Sequence, residues 1–128
     1  MLGVIGIADR RLLVIERDPP LRTVLNRGLR FRFEVQLAES TERALDDVRR
    51  NGAPTVIFGD LVTIGDGEAF EASLESIARG TADRAVYTTA GFVDVAAQAF
   101  LNRLPGRWIP KPYTISNVLD LLAVVTVT

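Results

Sequence analysis

Five short runs of β-branched and other apolar residues alternate along the chain with segments whose apolar residues recur every three or four positions. These are the two periods that distinguish buried strands from amphipathic helices. Arg11 to Glu16 is apolar nearly throughout and reads as a strand covered on both faces. Asp18-Pro19-Pro20 then stops the strand and opens a helix, with Asp18 as its cap, proline rings in the first turn, and Leu21, Val24, Leu25 and Leu29 as one apolar stripe. Phe33 to Ala38 is the second strand. Ser40 or Thr41 caps a helix in which Ala44, Leu45 and Val48 face inward, and Asn51-Gly52-Ala53-Pro54 ends it. Thr55 to Asp60 is the third strand, followed by a loop from Leu61 to Gly67 and a helix from about Glu68 to Ala78. Ala85 to Thr89 is the fourth strand, and Val93, Ala96, Ala97, Phe100 and Leu104 stripe the next helix. Arg107 to Pro110 is a short fifth strand. The last helix, Ile115 to about Val125, carries Ile115, Val118, Leu119 and Leu122, while Leu121, Val124 and Val127 widen its apolar face. That surplus hints at a partner surface, although burial of a terminal helix is the plainer reading. The alternation predicts an α/β fold, a doubly wound five-stranded parallel sheet with helices on both faces.

Length and composition narrow the functions this sheet can serve. At 128 residues the chain has room for one core. Neither cysteine nor histidine occurs, which excludes disulfides, thiol catalysis, imidazole bases and zinc sites of the usual kind; any metal must be bound by oxygen. With 15 basic and 16 acidic residues the net charge is -1, which argues against a broad electrostatic footprint for DNA. The opening apolar segment is too short to span a bilayer, has no basic segment before it, and is followed directly by Asp9. Residues 1–10 are therefore expected to be a leader or added edge segment, residues 11–128 the domain, and the protein cytoplasmic with no membrane partner.

In an open parallel sheet, ligands bind outside the carboxyl ends of the strands, near the point where the winding reverses. The first strand ends in Glu16-Arg17-Asp18, the third in Asp60, the fourth in Thr88-Thr89-Ala90 and the fifth in Lys111-Pro112. Each has a plain structural explanation: a solvated strand end for Glu16, a helix cap for Asp18, a turn residue for Thr89, a surface charge for Lys111. Their joint placement is harder to explain that way, because Asp60 and Lys111 both follow buried-looking apolar runs and Lys111 is the only lysine. Carboxylates, a hydroxyl and an ammonium on one edge suit an oxygen-ligated Mg²⁺ and a phosphoryl group. A carboxylate would attack phosphorus, lysine would supply a compact positive charge and threonine a hydrogen bond.

These pieces resemble the receiver domains of two-component response regulators, a flavodoxin-like fold, over roughly residues 11 to 125. The resemblance lies in Leu12-Leu13-Val14-Ile15-Glu16-Arg17-Asp18-Pro19, Val56-Ile57-Phe58-Gly59-Asp60, Asp66-Gly67, Thr89-Ala90 and Lys111-Pro112-Tyr113, in that order and spacing. Ala97-Gln98-Ala99-Phe100-Leu101-Asn102-Arg103 also looks like receivers at the C-termini of hybrid sensor histidine kinases. The resemblance implies that Asp60 takes a phosphoryl group from a histidine kinase or phosphotransfer protein, with Thr89 and Lys111 contacting it. Glu16 would stand at the first of two paired acids, Mg²⁺ would be held by Glu16, Asp60 and the Val62 carbonyl, and Trp108 would match an aromatic that rotates on activation. A core aromatic at a strand end explains Trp108 equally well. A downstream signalling protein, or a second copy of the chain, would bind the fourth helix, fifth strand and fifth helix.

Two departures matter. Arg17 stands where the resemblance calls for the second paired acid, an aspartate that directly ligates Mg²⁺; facing inward, it would pair with Asp60 or Glu16 and weaken or abolish metal binding, since guanidinium does not shed its proton. Thr63-Ile64-Gly65 lacks the Met-Pro element of such domains, and Asp66 comes one residue early. The alternative is thus a degenerate receiver, a phosphorylation-independent interaction module in which Arg17 mimics the cation. A phosphatase-like or flavodoxin-like enzyme is a third class. It is disfavoured because Arg17-Asp18-Pro19-Pro20 places prolines, which lack the N–H of a phosphate cradle, after the first strand.

Overall fold

Strands that are apolar on both sides must lie between two layers, and they do. The computed structural model describes residues 10–91 and 93–126. The expected leader or edge segment, Arg10 apart, lies outside the described residues, as does Val127. Strands β1 (Arg11–Ile15), β2 (Glu34–Ala38), β3 (Val56–Asp60), β4 (Ala85–Thr89) and β5 (Trp108–Pro110) form one parallel sheet in the order β2-β1-β3-β4-β5. The helices are α1 (Pro19–Leu29), α2 (Thr41–Asn51), α3 (Leu61–Ile64), α4 (Gly67–Ile77), α5 (Val95–Asn102) and α6 (Ile115–Thr126). This is the doubly wound α/β class expected from the alternation.

Because successive strand residues point to opposite faces, each central strand feeds two cores. Leu12, Val14, Val56, Phe58 and Val86 pack against Leu25 and Leu29 of α1 and Val118 and Leu122 of α6. Leu13, Ile15, Ile57 and Tyr87 pack against Ala44 and Val48 of α2, Phe70 and Leu74 of α4, and Phe100 and Leu101 of α5. Each such fully buried large side chain contributes about 2 kcal/mol of transfer free energy, which makes β1, β3 and β4 a firm platform for the residues at their carboxyl ends.

Polar caps set several helix starts. Ser40 accepts from the Arg43 N–H at 3.2 Å, Asp66 from Ala69 at 3.1 Å and Asp94 from Ala97 at 2.7 Å. Asp18 occupies the cap position of α1, but its side chain makes no capping bond; Pro19 and Pro20 have no N–H, so two of the donors at the helix start are missing. Three expectations about helix faces need correction. Val24 is 53% exposed, because Leu25 and Leu29 set the inward direction and Val24 lies about 100° away around the helix. Ala96 is exposed where a buried stripe is expected, α5 turning Phe100 and Leu101 inward. In α6 the surplus divides: Leu121 is buried while Val124 is 55% exposed.

Helix α4 begins against α5 at Gly67, where an added Cβ would lie 2.6 to 2.8 Å from ring atoms of Phe100. A flat ring held edge-on to Tyr87 at 5.2 Å between centroids cannot swing aside freely. The Gly67→Ala variant is therefore expected to lose about 1–3 kcal/mol through overpacking, read as a lowered urea midpoint with unchanged slope.

Candidate functional site

The winding reverses between β1 and β3: the chain leaves β1 outward to β2, then returns to build β3, β4 and β5 on the other side. Loops from the carboxyl ends of β1 and β3 therefore part, and a crevice opens there. Glu16 directly follows β1 and Asp60 ends β3, and each is 2% exposed. Lys111 follows β5, where its backbone N–H donates to the Thr89 carbonyl at 2.8 Å and ties the lysine to the end of β4. The Lys111–Pro112 peptide bond is cis. From this anchor the Lys111 ammonium reaches both acids: Nζ lies 2.9 Å from Glu16 Oε1 and 3.3 Å from Asp60 Oδ1.

The other carboxylate oxygens are held by the loops. Glu16 Oε2 accepts the Asp18 N–H at 3.1 Å. Asp60 Oδ2 accepts the Thr63 N–H at 3.1 Å and the Thr63 hydroxyl at 2.7 Å, so Asp60 caps the one-turn helix α3. Thr63 Oγ1 in turn accepts the Arg17 N–H at 3.0 Å and joins the loop after β1 to the turn after β3. The sequence predicts a loop after Asp60, and the helical turn found there is a correction. Asp60 before it and Gly65 after it, at φ 81°, are the start and stop signals that reveal such a turn. Thr63 is the main site residue that inspection of strand ends alone misses.

Lys111 carries both carboxylates. Burial by itself pulls its pKa down, but the hydrogen bond to Glu16 and the charges of Asp60 and Glu16 outweigh burial and raise it above the usual lysine value. Tyr113 is pushed above the ordinary phenol range by burial first and then by the charges of Glu16 and Asp60, and Tyr87 by burial and by Glu71, which accepts its hydroxyl at 2.6 Å. All three groups hold their protons more tightly folded than unfolded. Their contributions are complete below the unfolded pKa values, about 10 for tyrosine and 10.4 for lysine, and fade as pH rises through the folded ones. Stability is thus expected to fall steeply above about pH 10, with Tyr113→Phe and Tyr87→Phe each lowering the slope by up to about 1.4 kcal/mol per pH unit. Urea melts across pH 8 to about 11.5 test this, and an unchanged slope in both variants refutes it.

The remaining candidates fall into place unevenly. Thr89 ends β4, is buried, and makes no side-chain hydrogen bond to Asp60 or Lys111 among the described residues. Its neighbour Thr88 is the one in register with Asp60; the Thr88 hydroxyl is buried without a partner, as are Asp60 Oδ1 and the Tyr113 hydroxyl. Tyr113 stands edge-on to Phe58, two residues before Asp60, at 5.6 Å between ring centroids. Trp108 opens β5, half-buried against the core cluster that contains Tyr87. Arg17 does not act as the pocket's internal cation: it is exposed and forms no ion pair with Glu16 or Asp60 among the described residues. Its backbone is held by the Thr63 contact, and the cation between the acids is Lys111.

The Mg²⁺ that the resemblance implies does not fit the donor set as it stands. Among the described residues no three acidic side chains come together, and Arg17 occupies the place of the second paired acid. Val62 lies within the one-turn helix α3 that Asp60 caps.

No family model and no curated protein matches the chain. Solved structures do. A response regulator receiver domain protein from Clostridium thermocellum superposes with a TM-score of 0.72 at 18% identity, over 91% of this chain and 93% of that one. A response regulator receiver domain protein from Methanospirillum hungatei gives 0.70 at 19% identity, over 87% and 88%. A structure described as adenylate cyclase from Rhodopirellula baltica gives 0.71 at 23% identity, over 91% and 87%. The strand order, the acids at the winding reversal and these superpositions agree: this chain has the fold of the response regulator receiver domains.

Proposed function

We propose that this chain is a receiver module of a two-component phosphorelay, in which Asp60 accepts a phosphoryl group from a histidine kinase or phosphotransfer protein. The observation that carries the reading is the buried Asp60 carboxylate at the winding reversal, with Oδ1 free of hydrogen bonds and 3.3 Å from the Lys111 ammonium. Oδ1 is the oxygen suited to attack, because Oδ2 is engaged by Thr63. A bond forms from Oδ1 to phosphorus as the bond from phosphorus to the donor's imidazole nitrogen breaks, and the imidazole leaves as a neutral base once protonated. Lys111 offsets charge on the transferring group.

Phosphorylation turns the singly charged Asp60 carboxylate into an acyl phosphate of up to two negative charges, a net gain of up to one beside Glu16. Lys111 is then drawn from Glu16 toward the new dianion, and Thr89, tied to Lys111 through its carbonyl, follows at the end of β4. Since β4 pairs with β5 at Tyr87 and Trp108, the shift reaches the face formed by α5, β5 and α6, the surface for a downstream signalling protein or a second copy of the chain. A groove of about 500 Å³ lined by Trp108, Ile109, Tyr113, Leu121 and Val124 lies on that face. The test is intact-mass analysis after incubation with phosphoramidate, with Trp108 fluorescence followed in parallel. One phosphoryl adduct on the peptide carrying Asp60 supports the assignment, and no adduct overturns it.

A further inference from the structure

We propose that Lys111 is the resident cation of this pocket and that the pocket excludes Mg²⁺. The inference deepens the reading of Asp60 as a phosphoacceptor, and rests on it only for the second of the two tests below.

Three observations converge. First, three of the four carboxylate oxygens accept hydrogen bonds, Glu16 Oε1 from Lys111 at 2.9 Å, Glu16 Oε2 from the Asp18 N–H at 3.1 Å and Asp60 Oδ2 from Thr63, while the fourth, Asp60 Oδ1, faces the Lys111 ammonium at 3.3 Å. Mg²⁺ demands near-octahedral oxygen ligation at about 2.0–2.1 Å, so it would have to expel the ammonium from between the two acids. Second, Arg17 follows Glu16 and no third acid joins Glu16 and Asp60 among the described residues, so the site lacks a third carboxylate donor. Third, the Arg22 guanidinium donates to the main-chain carbonyls of Glu16 and Arg17 at 2.8 and 2.9 Å; the backbone oxygens at the end of β1 are thus in the company of a cation too.

Charge balance points the same way. Glu16 and Asp60 carry two negative charges, of which the Lys111 ammonium between them offsets one. A site half neutralised without a metal has less to gain from a hard dication, whose own hydration must be stripped on entry. The switch would then consist of a single competition, in which Lys111 divides itself between Glu16 and whatever anion is attached to Asp60.

The direct test is isothermal titration of the whole chain with Mg²⁺, with Mn²⁺ as a paramagnetic probe of the same amides. No saturable heat up to about 10 mM is expected for the wild type, where even a 1 mM site represents about 4 kcal/mol of binding free energy. Arg17→Asp restores the missing acid on an exposed side chain whose replacement leaves the core untouched, and is expected to gain Mg²⁺ affinity by at least about tenfold, roughly 1.4 kcal/mol. Saturation of the wild type below about 10 mM, with Mn²⁺ broadening centred on residues 16–18 and 60–63, overturns the proposal. So does the absence of any gain in both Arg17→Asp and Lys111→Met, since neither charge would then be what keeps the metal out. The second test compares labelling by phosphoramidate in Mg²⁺ and in EDTA. Equal yields support the proposal and labelling only with Mg²⁺ overturns it; no labelling in either condition overturns the phosphoacceptor reading instead, and leaves the titration to decide this one.

Discussion

Replacing Lys111 by methionine is expected to lower the stability of the folded chain by about 3 kcal/mol at neutral pH, within the range seen when one partner of a buried ion pair is removed. The methionine stem fills nearly the same volume, so packing changes little; what is lost is the charge. Glu16 and Asp60, each 2% exposed, would be left on adjoining strand ends with only loop hydrogen bonds to satisfy them. Lys111 itself is 27% exposed in its side chain, which lets water relieve part of the loss and keeps the expected effect at the lower end of the range. Asp60→Asn in the same background should recover much of the stability, because it removes one of the two opposed carboxylates. The two substitutions are therefore expected to be strongly non-additive, as neighbours in one network are. A double-mutant cycle by urea denaturation measures this, and purely additive effects would mean that Lys111 and Asp60 do not share their charge as the 3.3 Å separation indicates.

Asp60→Asn alone is expected to reduce phosphoryl labelling to background while leaving the chain folded. An amide oxygen can still accept from the Thr63 N–H and keep α3 capped, but it lacks the negative charge needed to attack phosphorus at Oδ1. The adduct on the wild type is expected to be an acyl phosphate and so to be cleaved by hydroxylamine, which distinguishes it from a phosphate ester on Thr63, Thr88 or Thr89. Labelling of Asp60→Asn at the same peptide with the same lability would sink the assignment of Asp60. Comparison of Trp108 fluorescence in wild type and variant would report whether the change travels through β4 and β5 to the signalling face.

Strand ends make much of this site legible in the sequence. Glu16, Asp60 and Lys111 each follow an apolar run, and in a doubly wound sheet the ends of such runs are where side chains meet; the 2.9 and 3.3 Å contacts of Lys111 realise that expectation. The turn after Asp60 is not legible in the same way. Four residues are too few to carry a helical period, so Leu61-Val62-Thr63-Ile64 reads as loop although Asp60 and Gly65 mark its limits. Thr63 escapes with it, and so does the bond network that uses Asp60 Oδ2.

Arg17 illustrates the other limit. Its place in the chain, between Glu16 and Asp18, says that a cation replaces an acid but not where the guanidinium goes: a long side chain at a strand end can fold inward or reach solvent at similar local energy. The same holds for Thr88 and Thr89, adjacent and alike: the sequence does not say that Thr88 is the one paired in register with Asp60.

The periodicity of apolar residues, the caps and the breakers by themselves determined the order of elements, the parallel sheet and the edge on which chemistry gathers, because these follow from local sterics and from the need to cover both faces of a strand. Which cation sits between the acids, which oxygen of Asp60 is free of hydrogen bonds, and which threonine pairs in register with Asp60 were decided only by tertiary structure. Those outcomes depend on competition among groups up to 95 residues apart, settled by distance and burial, which no local pattern encodes.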